Sequence, residues 1–156
     1  MAINVVLFQP EIPPNTGNIA RTCAITGSKL HLIKPLGFSI DDKSVKRAGL
    51  DYWHLLDLEV HESLGDFLEK YGDKEIFLST TKAQKYYDEV VFSDECFIVF
   101  GRETSGLPAE LHERYKENRI KIPMLQNEAA RSLNLSNSAA IIIYEALRQL
   151  DFPTLK

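Results

Sequence analysis

Asn15, Gly17 and Arg21 lie close together in the run Pro10-Glu11-Ile12-Pro13-Pro14-Asn15-Thr16-Gly17-Asn18-Ile19-Ala20-Arg21. A glycine near a helix start lets a ligand approach backbone N–H groups that have no partner within the helix, and such groups favour an anion. Arg21 follows Asn15 by six residues, under two helical turns, and could hold a phosphate or carboxylate at that end. The plainer account is a helix capped by Asn15 with Arg21 in water. The run alone does not choose between them. A second run, Gly101-Arg102-Glu103-Thr104-Ser105-Gly106-Leu107-Pro108, puts two glycines after an apolar stretch. That suits a tight turn around a ligand, and equally an ordinary strand-to-helix turn. It has neither the Gly-Lys-Ser/Thr of a P-loop nor the glycine spacing of a dinucleotide fingerprint. A third run, Ile122 to Ser138, ends rich in Ser and Asn. Ser136 or Asn137 is expected to cap the helix that follows, which leaves Ser132 and Asn134 for other work.

Other chemistries fit poorly. His31, His54, His61 and His112 are scattered along the chain, none beside a nucleophile, so no metal site is expected. Asp41 and Asp42 suit helix capping. Cys23 and Cys96 form neither a metal pattern nor a disulfide framework. They read as small buried hydrophobes in the reducing cytoplasm.

The elements that must position these runs alternate. Ile3–Phe8, Leu30–Ile33, Leu56–Val60, Ile76–Ser79, Phe97–Phe100 and Ile120–Ile122 read as strands. Between and after them lie helices at Thr16–Thr26, Ser63–Tyr71, Pro108–Tyr115 and Ser136–Leu150. A short basic helix after Asp41 carries Lys43, Lys46 and Arg47. Alternation with wholly apolar strands predicts an α/β fold, a parallel sheet flanked by helices. Ligands bind such sheets at the carboxyl ends of strands, where the three runs lie. The last helix has little polar face in its first half, which suits a core helix or a dimer interface, the latter preferred.

The chain has 156 residues, of which 44% are apolar and 26% charged, as one soluble domain would be. No apolar run approaches the roughly 20 residues of a membrane span, and no basic region precedes Ile3, so neither membrane span nor signal peptide is expected. The net charge is −4. Nucleic acid would therefore have to be gripped by local basic patches.

Taken together, the three runs resemble the SPOUT-class RNA methyltransferases. The likeness is carried by Asn15 to Arg21, by Phe100 to Pro108, and by Arg131-Ser132-Leu133-Asn134-Leu135-Ser136-Asn137 running into Tyr144-Glu145-Ala146. Asp41-Asp42-Lys43 and Arg47-Ala48-Gly49-Leu50-Asp51-Tyr52 extend it to the minimal TrmL-like (YibK-like) branch, which methylates the wobble ribose of certain leucine tRNAs. The chain departs from several relatives at Arg102, where they carry Pro, and at Ser105, where they carry Arg.

The resemblance implies one domain over residues 1–156, with a C-terminal segment that threads a loop into a deep trefoil knot. It implies S-adenosylmethionine bent within that knot, at Ser79, Thr80, Gly101, Gly106, Ile122, Ser132 and Leu133. It implies a homodimer, and no metal. Arg21 would lie beside the acceptor ribose, either as the base or, since a guanidinium keeps its proton to a pKa above about 12, as a clamp on phosphate and developing alkoxide. Asn15 and Asn134 would position groups around it, and Glu103 would hold the loop. The candidate RNA grips are Lys43, Lys46, Arg47, Arg102 and Arg131. The reaction expected is 2′-O-methylation of the wobble cytidine or modified uridine in leucine tRNAs. The alternatives are ribose methylation of ribosomal RNA and a non-catalytic RNA-binding factor.

Overall fold

The wholly apolar runs become the centre of a parallel sheet. The structure, a computed structural model, describes residues 3–41, 43, 47, 50–126 and 132–156. Its strands are β1 (Asn4–Phe8), β2 (Lys29–Ile33), β3 (Asp57–His61), β4 (Ile76–Ser79), β5 (Lys85–Tyr86), β6 (Phe97–Phe100) and β7 (Arg119–Lys121). They form a seven-stranded sheet in the order β3-β2-β1-β6-β4-β7-β5, with every pair parallel. In register, Val5 of β1 stands between Leu30 of β2 and Ile98 of β6.

Alternation along the strands separates two cores. Val5, Leu7, Leu30, Leu32, Ile98 and Phe100 point to one face. There they meet Ile19 and Cys23 of α1 (Pro13–Thr26) and Ile142, Ile143 and Ala146 of α4 (Leu135–Gln149). Val6, Phe8, Ile33 and Val99 point to the other. There they meet Phe67 and Leu68 of α2 (Leu64–Tyr71) and Leu111 of α3 (Ala109–Arg114). Helices on both faces explain why the central strands carry apolar residues without a polar alternate. The thiols of Cys23 and Cys96 are buried among them, and burial raises both, that of Cys96 to about 12.

Four sequence expectations change. Helix α1 begins at Pro13, not Thr16, with Pro at its first positions, where no N–H is needed. Asn15 is thus inside the first turn and is not the cap, which is Ile12. Helix α4 is capped by Asn134, whose side chain accepts from the backbone N–H groups of Ser136 and Asn137, so neither of those two residues is the cap. The histidines are not all scattered: His31 and His61 meet side by side on β2 and β3, 3.0 Å apart. Strand β5 had no apolar alternation to announce it, being two exposed residues at the sheet edge.

Lys43 and Arg47 are helical and exposed, whereas Asp42 and Lys46 of the basic helix lie outside the described residues. Among the described residues, no helix is long and apolar enough to cross a membrane.

Candidate active site

The segments after β1 and β6 are clasped by two carboxylates. Glu103 accepts from the backbone N–H groups of Glu11 (3.1 Å) and Ile12 (2.7 Å), which precede the first turn of α1. A negative group there also suits the helix dipole. In return Glu11 accepts from the hydroxyl (2.8 Å) and backbone N–H (3.1 Å) of Thr104. The Thr104 hydroxyl, then its N–H, hold the Glu11 carboxyl below its ordinary range.

The third segment joins through Asn134. Its side-chain Nδ2 donates to Oδ1 of Asn15 at 3.2 Å, and Nδ2 of Asn15 donates to Oε2 of Glu103 at 3.5 Å. Glu103, Asn15 and Asn134 are therefore one chain of hydrogen bonds across three loops. Each loop's conformation fixes the side chain that the next one needs.

Gly101 and Gly106 close the second segment. Arg102 and Gly106 exchange both backbone hydrogen bonds at 3.0 Å, and Gly106 takes a φ of 69°, which glycine adopts without strain. A Cβ on Gly101 would stand 2.4 Å from the Gly106 carbonyl carbon, so no other residue fits there without moving the loop.

These loops, with the ends of β4 and β7, enclose a cleft of about 600 Å³. Among the residues singled out by sequence, Ser79, Thr80, Gly101, Gly106, Ile122, Ser132 and Leu133 all line it. So do Asn15, Glu103, Asn134 and Arg102. The Arg102 guanidinium lies over the Phe8 ring, 5.2 Å from its centroid, and is half-buried rather than held out to solvent. Arg21 does not line the cleft; it is exposed on α1. Lys43 and Arg47 do not line it either. Arg131 lies outside the described residues.

The sequence reading missed Glu11 and Thr104, whose mutual bond spans 93 residues. It also missed Lys82, His112 and Lys121, which line the cleft. The polar run Thr80-Thr81-Lys82 directly after an apolar strand was the available signal for the first of these. Burial, and then the charges of Lys82 and Arg119, hold the His112 imidazole below its usual range.

Known proteins resemble this chain in sequence and in fold. A tRNA (cytidine(34)-2′-O)-methyltransferase of Methylovorus glucosotrophus is 50% identical over 150 residues, covering 96% of each chain. A protein whose structure was solved for insight into the 2-OH methylation of C/U34 on tRNA is 42% identical, with a TM-score of 0.90 over 96% of this chain and 97% of that one. The SpoU methyltransferase AviRb from Streptomyces viridochromogenes, in complex with the cofactor AdoMet, shares the fold. It is 23% identical, with a TM-score of 0.83 over 96% of this chain and 61% of that one. The model of the SpoU rRNA Methylase family matches residues 2–144, and the chain belongs to that family.

Proposed function

We propose that this protein transfers a methyl group from S-adenosylmethionine to the ribose 2′-OH of nucleotide 34, the wobble position, of tRNA. The observation that carries the reading is the Glu103–Asn15–Asn134 chain, which ties three loops around one cleft at the carboxyl ends of parallel strands. Substantial identity to a named tRNA (cytidine(34)-2′-O)-methyltransferase supports the acceptor.

The cleft fits the cofactor. Two glycines bring main chain close to a ligand, and Ser79, Thr80 and Ser132 offer neutral hydroxyls around it. The buried Nε of Arg102 and Nδ1 of His112, both on cleft-lining residues, have no partner among the described residues, which leaves two donors or acceptors for a polar ligand. When bound, S-adenosylmethionine supplies an electrophilic methyl on a sulfonium, so the transfer is read as needing no metal.

The chain's own residues position and stabilise. Glu103 spends its oxygens on backbone N–H groups and on Asn15, so it is a positioning residue. Arg21, exposed on α1 and outside the cleft lining of this chain, is assigned to the RNA side of the reaction, as a clamp on a phosphate and on the developing alkoxide. Alignment of the 2′-oxygen with the methyl accounts for several kcal/mol of the barrier, on the order of what positioning supplies elsewhere.

The finer features belong to the same proposal. Leucine tRNAs as substrates are supported by the resemblance at Asp41–Lys43 and Arg47–Tyr52. A trefoil knot is supported by β7, which sits between β4 and β5 while α4 returns to pack on α1. A homodimer is supported by exposed Ile141 and Tyr144 on α4 and Ile25 on α1. A cytoplasmic location follows from a tRNA substrate.

The test is incubation with labelled cofactor and total tRNA, with the modified nucleotide mapped by mass spectrometry. Label is expected at nucleotide 34 and absent from a transcript with 2′-deoxyribose there. Arg21→Ala is expected to abolish turnover while S-adenosylhomocysteine affinity stays within a few-fold. Label on ribosomal RNA alone would give the reaction to the other acceptor.

A further inference from the structure

We propose that Lys82, Tyr86 and Lys121 form a docking wall for single-stranded substrate RNA beside the nucleotide being methylated. The inference rests on the tRNA reading above and deepens it. Strand β5 pairs in parallel with β7 so that Tyr86 stands opposite Lys121, which puts both side chains on one face of the sheet. The Lys121 ammonium lies 5.8 Å from the Tyr86 ring centroid. Lys82 lies three residues beyond the end of β4, the strand that neighbours β7, and it lines the cleft together with Lys121. Arg119, two residues before Lys121, shares that face, and its charge and that of Lys82 both act on His112.

The wall is positive in a chain of net charge −4. The acid that lines the cleft, Glu103, is turned to the backbone of Glu11 and Ile12. Nearby Glu89 likewise accepts from the Tyr86 backbone N–H. Two ammonium groups beside an exposed ring match what an unpaired stretch of RNA offers, phosphates for the cations and a base face for the aromatic ring. The cofactor's carboxylate would need one cation inside the cleft. The wall instead runs past the cleft onto the sheet edge, where Tyr86 is 42% exposed and lines no part of the cleft.

The experiment compares wild type, the double variant Lys82→Met/Lys121→Met, and Tyr86→Ala. Binding to a tRNA transcript is measured across a salt series, and S-adenosylhomocysteine binding by calorimetry. The double variant is expected to lose tenfold or more in tRNA affinity at physiological salt. Its log–log salt slope should be shallower by about 0.7 for each lysine removed. Tyr86→Ala is expected to lose about fivefold or more with its slope unchanged. Tyr86→Ala should hold S-adenosylhomocysteine within twofold of wild type, and the double variant should lose far more affinity for tRNA than for S-adenosylhomocysteine. Unchanged tRNA affinity and slope in a double variant whose wild-type parent methylates tRNA overturns the wall alone. A double variant that weakens S-adenosylhomocysteine and leaves the tRNA slope intact assigns the lysines to the cofactor and also overturns it. A wild type that binds S-adenosylhomocysteine but no tRNA at any salt removes the tRNA reading, and the wall with it.

Discussion

The side-chain amide of Asn134 donates to Asn15 across 119 residues of sequence while its carbonyl oxygen caps α4. One residue thus starts the last helix and fixes a residue in the first turn of the first one. The two roles separate by substitution. Asn134→Ser keeps a capping oxygen but is too short to reach Asn15, whereas Asn134→Ala loses both. Urea unfolding should place Asn134→Ser within about 0.5 kcal/mol of wild type and Asn134→Ala about 1 kcal/mol below it. Turnover should fall at least tenfold in both. Wild-type turnover in Asn134→Ser would mean that the link to Asn15 is structural only.

Gly101 and Gly106 face each other, and their substitutions should rank in a set order. A methyl on Gly101 meets the Gly106 carbonyl carbon at 2.4 Å, so the loop must open. A methyl on Gly106 meets nothing within 4 Å and costs only the strain of its positive φ, about 1 kcal/mol. Gly101→Ala should therefore weaken S-adenosylhomocysteine binding tenfold or more, and Gly106→Ala distinctly less. Calorimetry on the two variants gives the ranking, and a reversed order would contradict the loop's geometry.

How much of this was legible beforehand follows from how far each cause reaches along the chain. Ile76–Ser79 and Phe97–Phe100 read as strands because apolarity is local, and a buried parallel sheet demands it. The loops at their ends were legible because glycine and asparagine mark irregular backbone. What holds those loops was not. Asn15 looked like a cap because capping is the local role of asparagine, but Glu103, 91 residues from Ile12, supplies the acceptor at that helix start. Asn134 looked spare for the converse reason: Ser136 and Asn137 are equally good local caps. The pairing of His31 with His61 depends on the register of β2 against β3, which residue types alone do not encode.

Helix α4 separates core from surface apolar residues more finely than its composition suggests. Ile142 and Ile143 are wholly buried within the chain, whereas the neighbouring Ile141 is 38% and Tyr144 42% exposed. A charge at Ile142 would therefore test folding, not assembly. Ile141→Lys is the discriminating change if this face joins two copies. Sedimentation at micromolar concentration should show a dimer for the wild type and a shift toward monomer for Ile141→Lys. Its far-ultraviolet circular dichroism should stay that of the wild type. A monomeric wild type would remove the interface, and an Ile141→Lys dimer of wild-type strength would move it elsewhere.

The His31–His61 pair makes stability depend on pH in a definite direction. Asn4 donates its side-chain amide to the Glu95 backbone carbonyl, so its oxygen faces His31 Nε2 at 2.9 Å and accepts a hydrogen bond from the N–H there. His31 Nδ1 is then the acceptor, and His61 Nε2 donates to it across 3.0 Å. A second proton on His31 would set N–H against N–H inside a cage of Phe67, Tyr71 and Phe97. Burial, followed by the neighbouring His61 and Lys29, lowers His31 to about 3, and burial likewise lowers His61 against the opposing pull of Glu59. Glu59 itself is held by Lys29, Lys70 and the Tyr71 hydroxyl. The unfolded chain takes up protons on both rings near pH 6.5, while the folded chain keeps them neutral. The stabilisation is therefore complete above that pH and is lost as pH falls below it, at about 1.4 kcal/mol per pH unit for each ring that stays neutral. His112 is lowered too, but it is more exposed and its share is smaller. Urea unfolding at pH 7.5, 6.5, 5.5 and 4.5 should give a small fall, about 0.4 to 0.7 kcal/mol, over the first two points and a larger one, of at least about 1 kcal/mol, between the second and third. The double variant His31→Gln/His61→Gln should lose most of that slope, whatever its absolute stability. A wild type whose stability is unchanged from pH 7.5 to 4.5 would show that the pair accepts protons as readily in the folded chain as in the unfolded one.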